Sequence, residues 1–188
     1  TGGAYFRTGG AKKVALVDTV FSGCYKREIF DKVGPFNENL IRNQEMEFHL
    51  RLKRKKGKIL FVPDIISHYY PTSGFKRFLF HNFDDGIWTI FYLKFSKILF
   101  RPRHYIPFIF VSSLFIFGIL SFFSKVFLGL FSFIMGLYFL ISFYFSLKIS
   151  FKEKNPAFFI LMPSIFAARH IGYGFGSMWG LLKLVLDL

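Results

Sequence analysis

Residues 105–147 read YIPFIFVSSLFIFGILSFF, then SK, then VFLGLFSFIMGLYFLISFYFSL. The runs 105–123 and 126–147 hold 19 and 22 residues without a charge. Each reaches the roughly 20 residues that a helix needs to cross about 30 Å of hydrocarbon. Only Ser124 and Lys125 separate them, so a tight helical hairpin is expected. A pair of buried core helices is the alternative. A secretory signal is excluded, because the runs are internal and too long.

The flanks set the expected orientation. Lys94, Lys97, Arg101 and Arg103 precede the first run. Lys148, Lys152 and Lys154 follow the second, opposed only by Glu153, and the tip offers Lys125 alone. The positive-inside rule puts both ends in the cytoplasm. Residues 1–104 go with them, so the expected location is the inner cell membrane with a cytoplasmic N-terminal part.

A third apolar stretch, 157–182, is broken by Pro163 and carries Arg169-His170 at its centre. Glycines follow at 172, 174, 176 and 180. A charge in mid-bilayer is expensive and usually faces protein or a polar cavity. Two readings compete: a third span packed through its glycines, and a re-entrant or interfacial segment. The first is slightly favoured.

Composition agrees with two unlike halves. The chain has 188 residues, 53% of them apolar and 30 of them Phe. With a mean hydropathy of +0.40, disorder is excluded. Of the net +14, residues 1–104 hold +10 and residues 105–188 hold +4. Cys24 is the only cysteine, which excludes an intramolecular disulfide and a Cys-cluster zinc site. A basic pI also fits nucleic-acid binding. The lysines flanking the spans account for the charge, so no nucleic-acid partner is expected. The first residue is Thr1 rather than Met, and the chain is expected to begin inside a longer protein.

The first half reads as the end of an α/β domain. Residues 14–21 (VALVDTVF) read as a strand. Residues 25–33 read as a short helix stopped by Gly34-Pro35, and 36–39 as a turn. Asn43 is placed to cap a helix over 44–56 ended by Gly57. Residues 58–62 form a strand stopped by Pro63, and His68 lies in the loop that follows. A long amphipathic helix is expected from Gly74 to about Phe100, capped by Ser73 and interrupted near Gly86. Phe75, Phe78, Leu79 and Phe83 among Lys76 and Arg77 suit a helix in the membrane interface. Packing on the soluble domain suits them equally.

Three runs resemble family 2 glycosyltransferases: VDTVFSGCYKRE (17–28) leading to VGPFNE (33–38), and NQEMEFHLRL (43–52). The nearest likeness is to the membrane-bound subgroup of exopolysaccharide-synthesis enzymes, including those of succinoglycan type. HIGYGFG (170–176) resembles that subgroup's late His-x-x-Tyr-Gly-x-Gly element. The resemblance covers nearly the whole chain.

It implies the C-terminal part of a GT-A nucleotide-sugar-binding domain over 1–72. An amphipathic interfacial region over 73–104 follows, then a membrane domain over 105–188. It also implies inverting transfer of a sugar from a nucleotide-sugar to an acceptor hydroxyl. Direct displacement needs a base for the hydroxyl proton. By alignment Glu45 takes the place of the catalytic Asp, and Gln44 that of the preceding acid. The residues agree, because a carboxylate in the first turn of a helix is held as the anion. A plain capping acid is the competing role.

Glu47 is the second choice as base, although its i, i+4 spacing to Arg51 favours a structural ion pair. Arg51 could instead approach the donor phosphates. Asp18, Gly23 and Cys24 match the family's acceptor-side segment, while a simple turn serves Gly23 equally well. His68 could reach the donor diphosphate or a metal, although a lone loop His is more often without a role. His49, His81 and His104 are read as structural.

The resemblance implies a divalent cation, Mg or Mn. Its Asp-x-Asp ligands lie in the family N-terminal to every residue here, and this sequence contains no such motif. The chain is therefore expected to be inactive alone. Gln44 is the only Gln, so the Gln-x-x-Arg-Trp signature of processive synthases is absent. Single-sugar transfer to a lipid-linked acceptor fits better. The competing class is a non-enzymatic membrane protein whose basic cytoplasmic domain binds anionic lipid or another subunit.

Overall fold

The computed structural model describes residues 13–20, 23–65, 74–96 and 98–187. These fall into two compact units. The first takes its residues from Thr1–Pro71 and Tyr92–Phe100, the second from Thr72–Phe91 and Arg101–Leu188.

In the first unit, β1 (Ala15–Val17) pairs antiparallel with β2 (Ile59–Phe61). The register is Ala15↔Phe61, Leu16↔Leu60 and Val17↔Ile59. The strand expected over 14–21 is thus shorter, and Phe21 lies outside the described residues. Helix α1 (Arg27–Val33) stops at Gly34, whose φ of 88° is a conformation that glycine adopts without a Cβ penalty. Helix α2 is Gln44–Arg54. The core gathers where α1, α2 and the sheet meet. Phe48, Leu52, Val33 and Ile59 are buried, with Val17, Val20, Ile29, Phe30 and Phe36 against them. The Phe48 ring lies tilted against Phe36 at 4.7 Å and Phe30 at 5.4 Å. Burying one such ring is worth about 1.5–3 kcal/mol. Among the described residues the sheet has two strands, and the larger α/β sheet implied by the resemblance is not among them.

The long helix expected from Gly74 to Phe100 is shorter. Helix α3 is Phe75–Phe91, followed by a 3₁₀ turn over Tyr92–Lys94. The chain leaves the helix because the next residues have partners in the first unit. Tyr92 stacks on Phe100 at 3.9 Å, and its hydroxyl donates to the Ile98 carbonyl. The Phe95 carbonyl accepts from Asn37 Nδ2 at 3.3 Å. Gly86 does not interrupt α3. It is the point where another helix comes closest.

That helix is α6 (Ala157–Val185), which runs unbroken for 29 residues. Pro163 does not end it. It lies in the second turn, where its missing N–H removes only the bond to the Phe159 carbonyl. A Cβ on Gly172 would touch Leu79, one on Gly176 would lie 1.9 Å from the Phe83 carbonyl, and one on Gly180 would lie 2.5 Å from that of Ile87. Steps of four on both helices in the same direction mean that α3 and α6 run parallel, backbone against backbone. Helices α4 (Ile106–Leu120) and α5 (Lys125–Lys152) form the expected hairpin, with Ser124 Oγ capping Val126 N at 3.3 Å. Phe110 stacks on Tyr138 and Phe117 on Phe127, so these two run antiparallel.

By length and composition α5 and α6 can cross a membrane, whereas α4, with 15 residues, is shorter than the run that encodes it. The close glycine packing has a testable cost. Gly176→Val should lower the stability of the full-length protein in detergent by about 1–3 kcal/mol, because the backbone of α3 cannot give way. Gly136→Ala, with nothing within 4 Å of its Cβ, should melt like the parent.

Candidate functional site

The site grows from the start of α2. Asn43 precedes this helix with φ 64° and ψ 15°, and its side chain caps nothing. The expected side-chain cap is therefore replaced by a left-handed turn, which Asn tolerates better than most residues. The Asn43 carbonyl accepts from Glu47 N at 2.9 Å and starts the helix. Gln44 Nε2 donates to the Leu40 carbonyl at 2.5 Å. Glu45 then stands half-buried in the first turn, where unsatisfied N–H groups favour a negative charge.

Three further side chains gather beside Glu45. One turn on, His49 is fully buried. Its Nε2 meets the Tyr25 hydroxyl at 2.6 Å and its Nδ1 meets Thr19 Oγ1 at 2.8 Å. A neutral imidazole donates through one nitrogen and accepts through the other, so the two hydroxyls fix its ring. Burial, and then the negative charge of Glu45, push the Tyr25 phenol up to about 12. The Tyr25 ring also lies against Gly23, where a Cβ would sit 2.4 Å from the phenol oxygen. Gly23 therefore leaves room for Tyr25, and Cys24 beside it is exposed. Asp18 forms an ion pair with Lys53, two turns beyond Glu45. Asp18 thus meets α2 one turn beyond His49, which Thr19 and Tyr25 share.

Glu47 and Arg51 are turned to a different task. Glu47 is buried, and its two carboxylate oxygens accept from Arg51 Nε at 2.8 and 2.9 Å. Arg51 Nη1 donates to the Val33 carbonyl and Nη2 to the Pro35 carbonyl, both at 2.7 Å. Ser96 Oγ reaches Glu47 at 3.4 Å. The pair clips α2 to the turn after α1. His68 lies outside the described residues. Among the described residues, no three His, Cys, Asp or Glu side chains converge as a metal site would require. They do not fit a divalent cation.

His49, read from the sequence as structural, stands at i, i+4 from Glu45 on the same helical face. The phenol offers a check. The difference titration between the parent and Tyr25→Phe should have its midpoint near 12. The folded protein holds this proton more tightly than the unfolded chain does. The network's contribution to stability is therefore complete below about pH 10 and is lost as pH rises through about 12. Glu45→Gln should move the midpoint down.

Comparison with known proteins gives one partial likeness. Over 175 residues, 92% of this chain, the sequence is 27% identical to a "Dolichyl N-acetyl-alpha-D-glucosaminyl phosphate 3-beta-D-2,3-diacetamido-2,3-dideoxy-beta-D-glucuronosyltransferase" of Methanococcus voltae. The chain spans about half the length of this curated relative (50%). No family model matches the chain, and no solved structure matches it.

Proposed function

We propose that this chain is the C-terminal part of an inverting membrane glycosyltransferase of family 2, with a GT-A catalytic domain. It moves a hexosyl unit from a nucleotide-sugar to a hydroxyl of a lipid-linked acceptor, in exopolysaccharide or cell-envelope glycan synthesis. The observation that carries this reading is the similarity over 92% of the chain to a transferase named for a dolichyl-phosphate-linked substrate. Glu45 is the base. It is held at a helix N-terminus beside a fixed Tyr25–His49–Thr19 chain, where it takes the acceptor proton as the new bond forms. Gly23 and Cys24 line the acceptor side. Arg51 and Glu47 hold the helix that presents Glu45.

Leu16 and Leu60 face each other across the sheet with 63% and 56% of their surface exposed, an apolar face that a further layer of the domain would cover. The Mg or Mn ion belongs with the donor diphosphate on residues other than those described. Helices α4 to α6 lie in the inner membrane, with the first unit in the cytoplasm.

The test uses membranes that contain the full-length protein, supplied with labelled nucleotide-sugars. Label should enter the lipid extract and be absent from membranes without the protein. A full panel of donors and lipid acceptors that yields no labelled lipid would favour the non-enzymatic, lipid- or subunit-binding reading.

A further inference from the structure

The polar chain beside Glu45 has a direction. His49 is fully buried, with the Tyr25 hydroxyl 2.6 Å from Nε2 and Thr19 Oγ1 2.8 Å from Nδ1. A phenol is a stronger acid than the N–H of a neutral imidazole. An imidazole nitrogen is a better base than a phenol oxygen. The short bond therefore runs from the Tyr25 hydroxyl to Nε2. Nδ1 then carries the ring hydrogen and donates it to Thr19 Oγ1, because a neutral imidazole has one donor and one acceptor. The phenol keeps its proton at neutral pH, since burial, and then the charge of Glu45, push it up to about 12.

The Tyr25 oxygen has thus spent its only hydrogen and keeps lone pairs with which to accept. Its ring is held in place. Phe48 lies edge-on to it at 5.1 Å, Phe30 and Phe36 at 6.0 Å, and Gly23 closes over the oxygen, where a Cβ would lie 2.4 Å away. His49 stands one turn from Glu45 on the same face of α2, so the phenol that it holds lies within reach of the Glu45 charge. A carboxylate that serves as a base also only accepts. Tyr25 and Glu45 are both half-buried, so neither is sealed off from a ligand. Two acceptors placed together fit a ligand that brings two hydrogens on neighbouring groups. Adjacent hydroxyls of a sugar ring do so, and so does a hydroxyl beside an acetamido N–H. An isolated hydroxyl satisfies one of them only.

We infer that Tyr25 is a specificity-determining residue for the acceptor, its phenol oxygen accepting from the group next to the hydroxyl that Glu45 deprotonates. This deepens the proposed function and rests on it. His49 is a positioning residue that acts through the phenol. Tyr25 takes no proton in the reaction. Its bond is made alike to the bound acceptor and to the transition state, so its loss falls on acceptor binding.

The experiment uses the full-length protein in lipid nanodiscs with the nucleotide-sugar that labels membrane lipid. The acceptor probes are octyl glucoside and octyl N-acetylglucosaminide, each with its monodeoxy analogues. Tyr25→Phe keeps the ring and removes the oxygen. It should raise KM for the intact acceptor about three- to tenfold, the size of one neutral hydrogen bond, with kcat and the donor KM near the parent's. One analogue should cost the parent the same factor and cost Tyr25→Phe nothing further. That analogue names the group as a ring hydroxyl or the acetamido nitrogen. A merely structural Tyr25 would leave the penalty of every analogue in place. That result overturns the inference while sugar transfer stands. No label in membrane lipid or in any probe sinks the proposed function and this inference with it. NMR of the histidine-labelled parent needs neither variant nor acceptor. It should show the His49 hydrogen on Nδ1. A hydrogen on Nε2 overturns the inference, because Tyr25 would then keep its own proton to donate.

Discussion

Glu45→Gln in the full-length protein should lower kcat for sugar transfer by about 100- to 10,000-fold, the usual contribution of a general base. That corresponds to about 3–5.5 kcal/mol of transition-state stabilisation. The amide has the shape of the carboxylate, and Glu45 accepts no hydrogen bond from a described residue that the change would break. The helix start should survive, since it rests on the Asn43 carbonyl and on Gln44 held to Leu40. The Tyr25–His49–Thr19 chain should survive as well, because it does not include Glu45. The loss should therefore fall on kcat, with KM for the nucleotide-sugar little changed and the melting temperature that of the parent. Steady-state kinetics on both substrates, with a thermal melt as control, checks this. Parental turnover would remove Glu45 from the mechanism.

The second large effect is on stability. Arg51→Met should destabilise the first unit by about 3–5 kcal/mol, the cost of leaving one member of a buried ion pair uncompensated. Glu47 has a side-chain exposure of 3%, and its carboxylate takes two bonds from Arg51 Nε. The Val33 and Pro35 carbonyls lose their donors in the same change. Removing both charges with Glu47→Leu/Arg51→Met should recover part of the loss, because the unpaired anion is then gone. Arg51→Lys should fall near the single Met variant, since an ammonium cannot reach Glu47 and two carbonyls at once. Chemical denaturation of the parent and the three variants measures these differences.

Parts of this architecture were legible in the sequence because they depend on local pattern. The uncharged runs gave the α4–α5 hairpin, and the i, i+4 spacing gave the Glu47–Arg51 pair. The parts that were not legible depend on partners distant in the chain. Pro163 reads as a break, but one missing backbone bond near the start of a 29-residue helix does not end it. Gly86 reads as an interruption, yet it admits the Tyr173 carbonyl, 87 positions away. Phe100 reads as the end of an amphipathic helix, but Tyr92 and Phe95 answer to Ile98 and Asn37 instead. His49 reads as an isolated histidine until Thr19 and Tyr25 are brought to its two nitrogens. Periodicity carries no information about such contacts.

The proposed reaction is a single displacement assisted by one carboxylate. Its most direct test is the anomeric configuration of the product that the purified full-length protein makes from an α-linked nucleotide-sugar, read by NMR before any isomerisation. A single displacement gives an inverted, β-linked sugar in the parent, and the same product formed far more slowly in Glu45→Gln. A retained α-linkage would contradict it, because retention requires a different mechanism and a different role for Glu45.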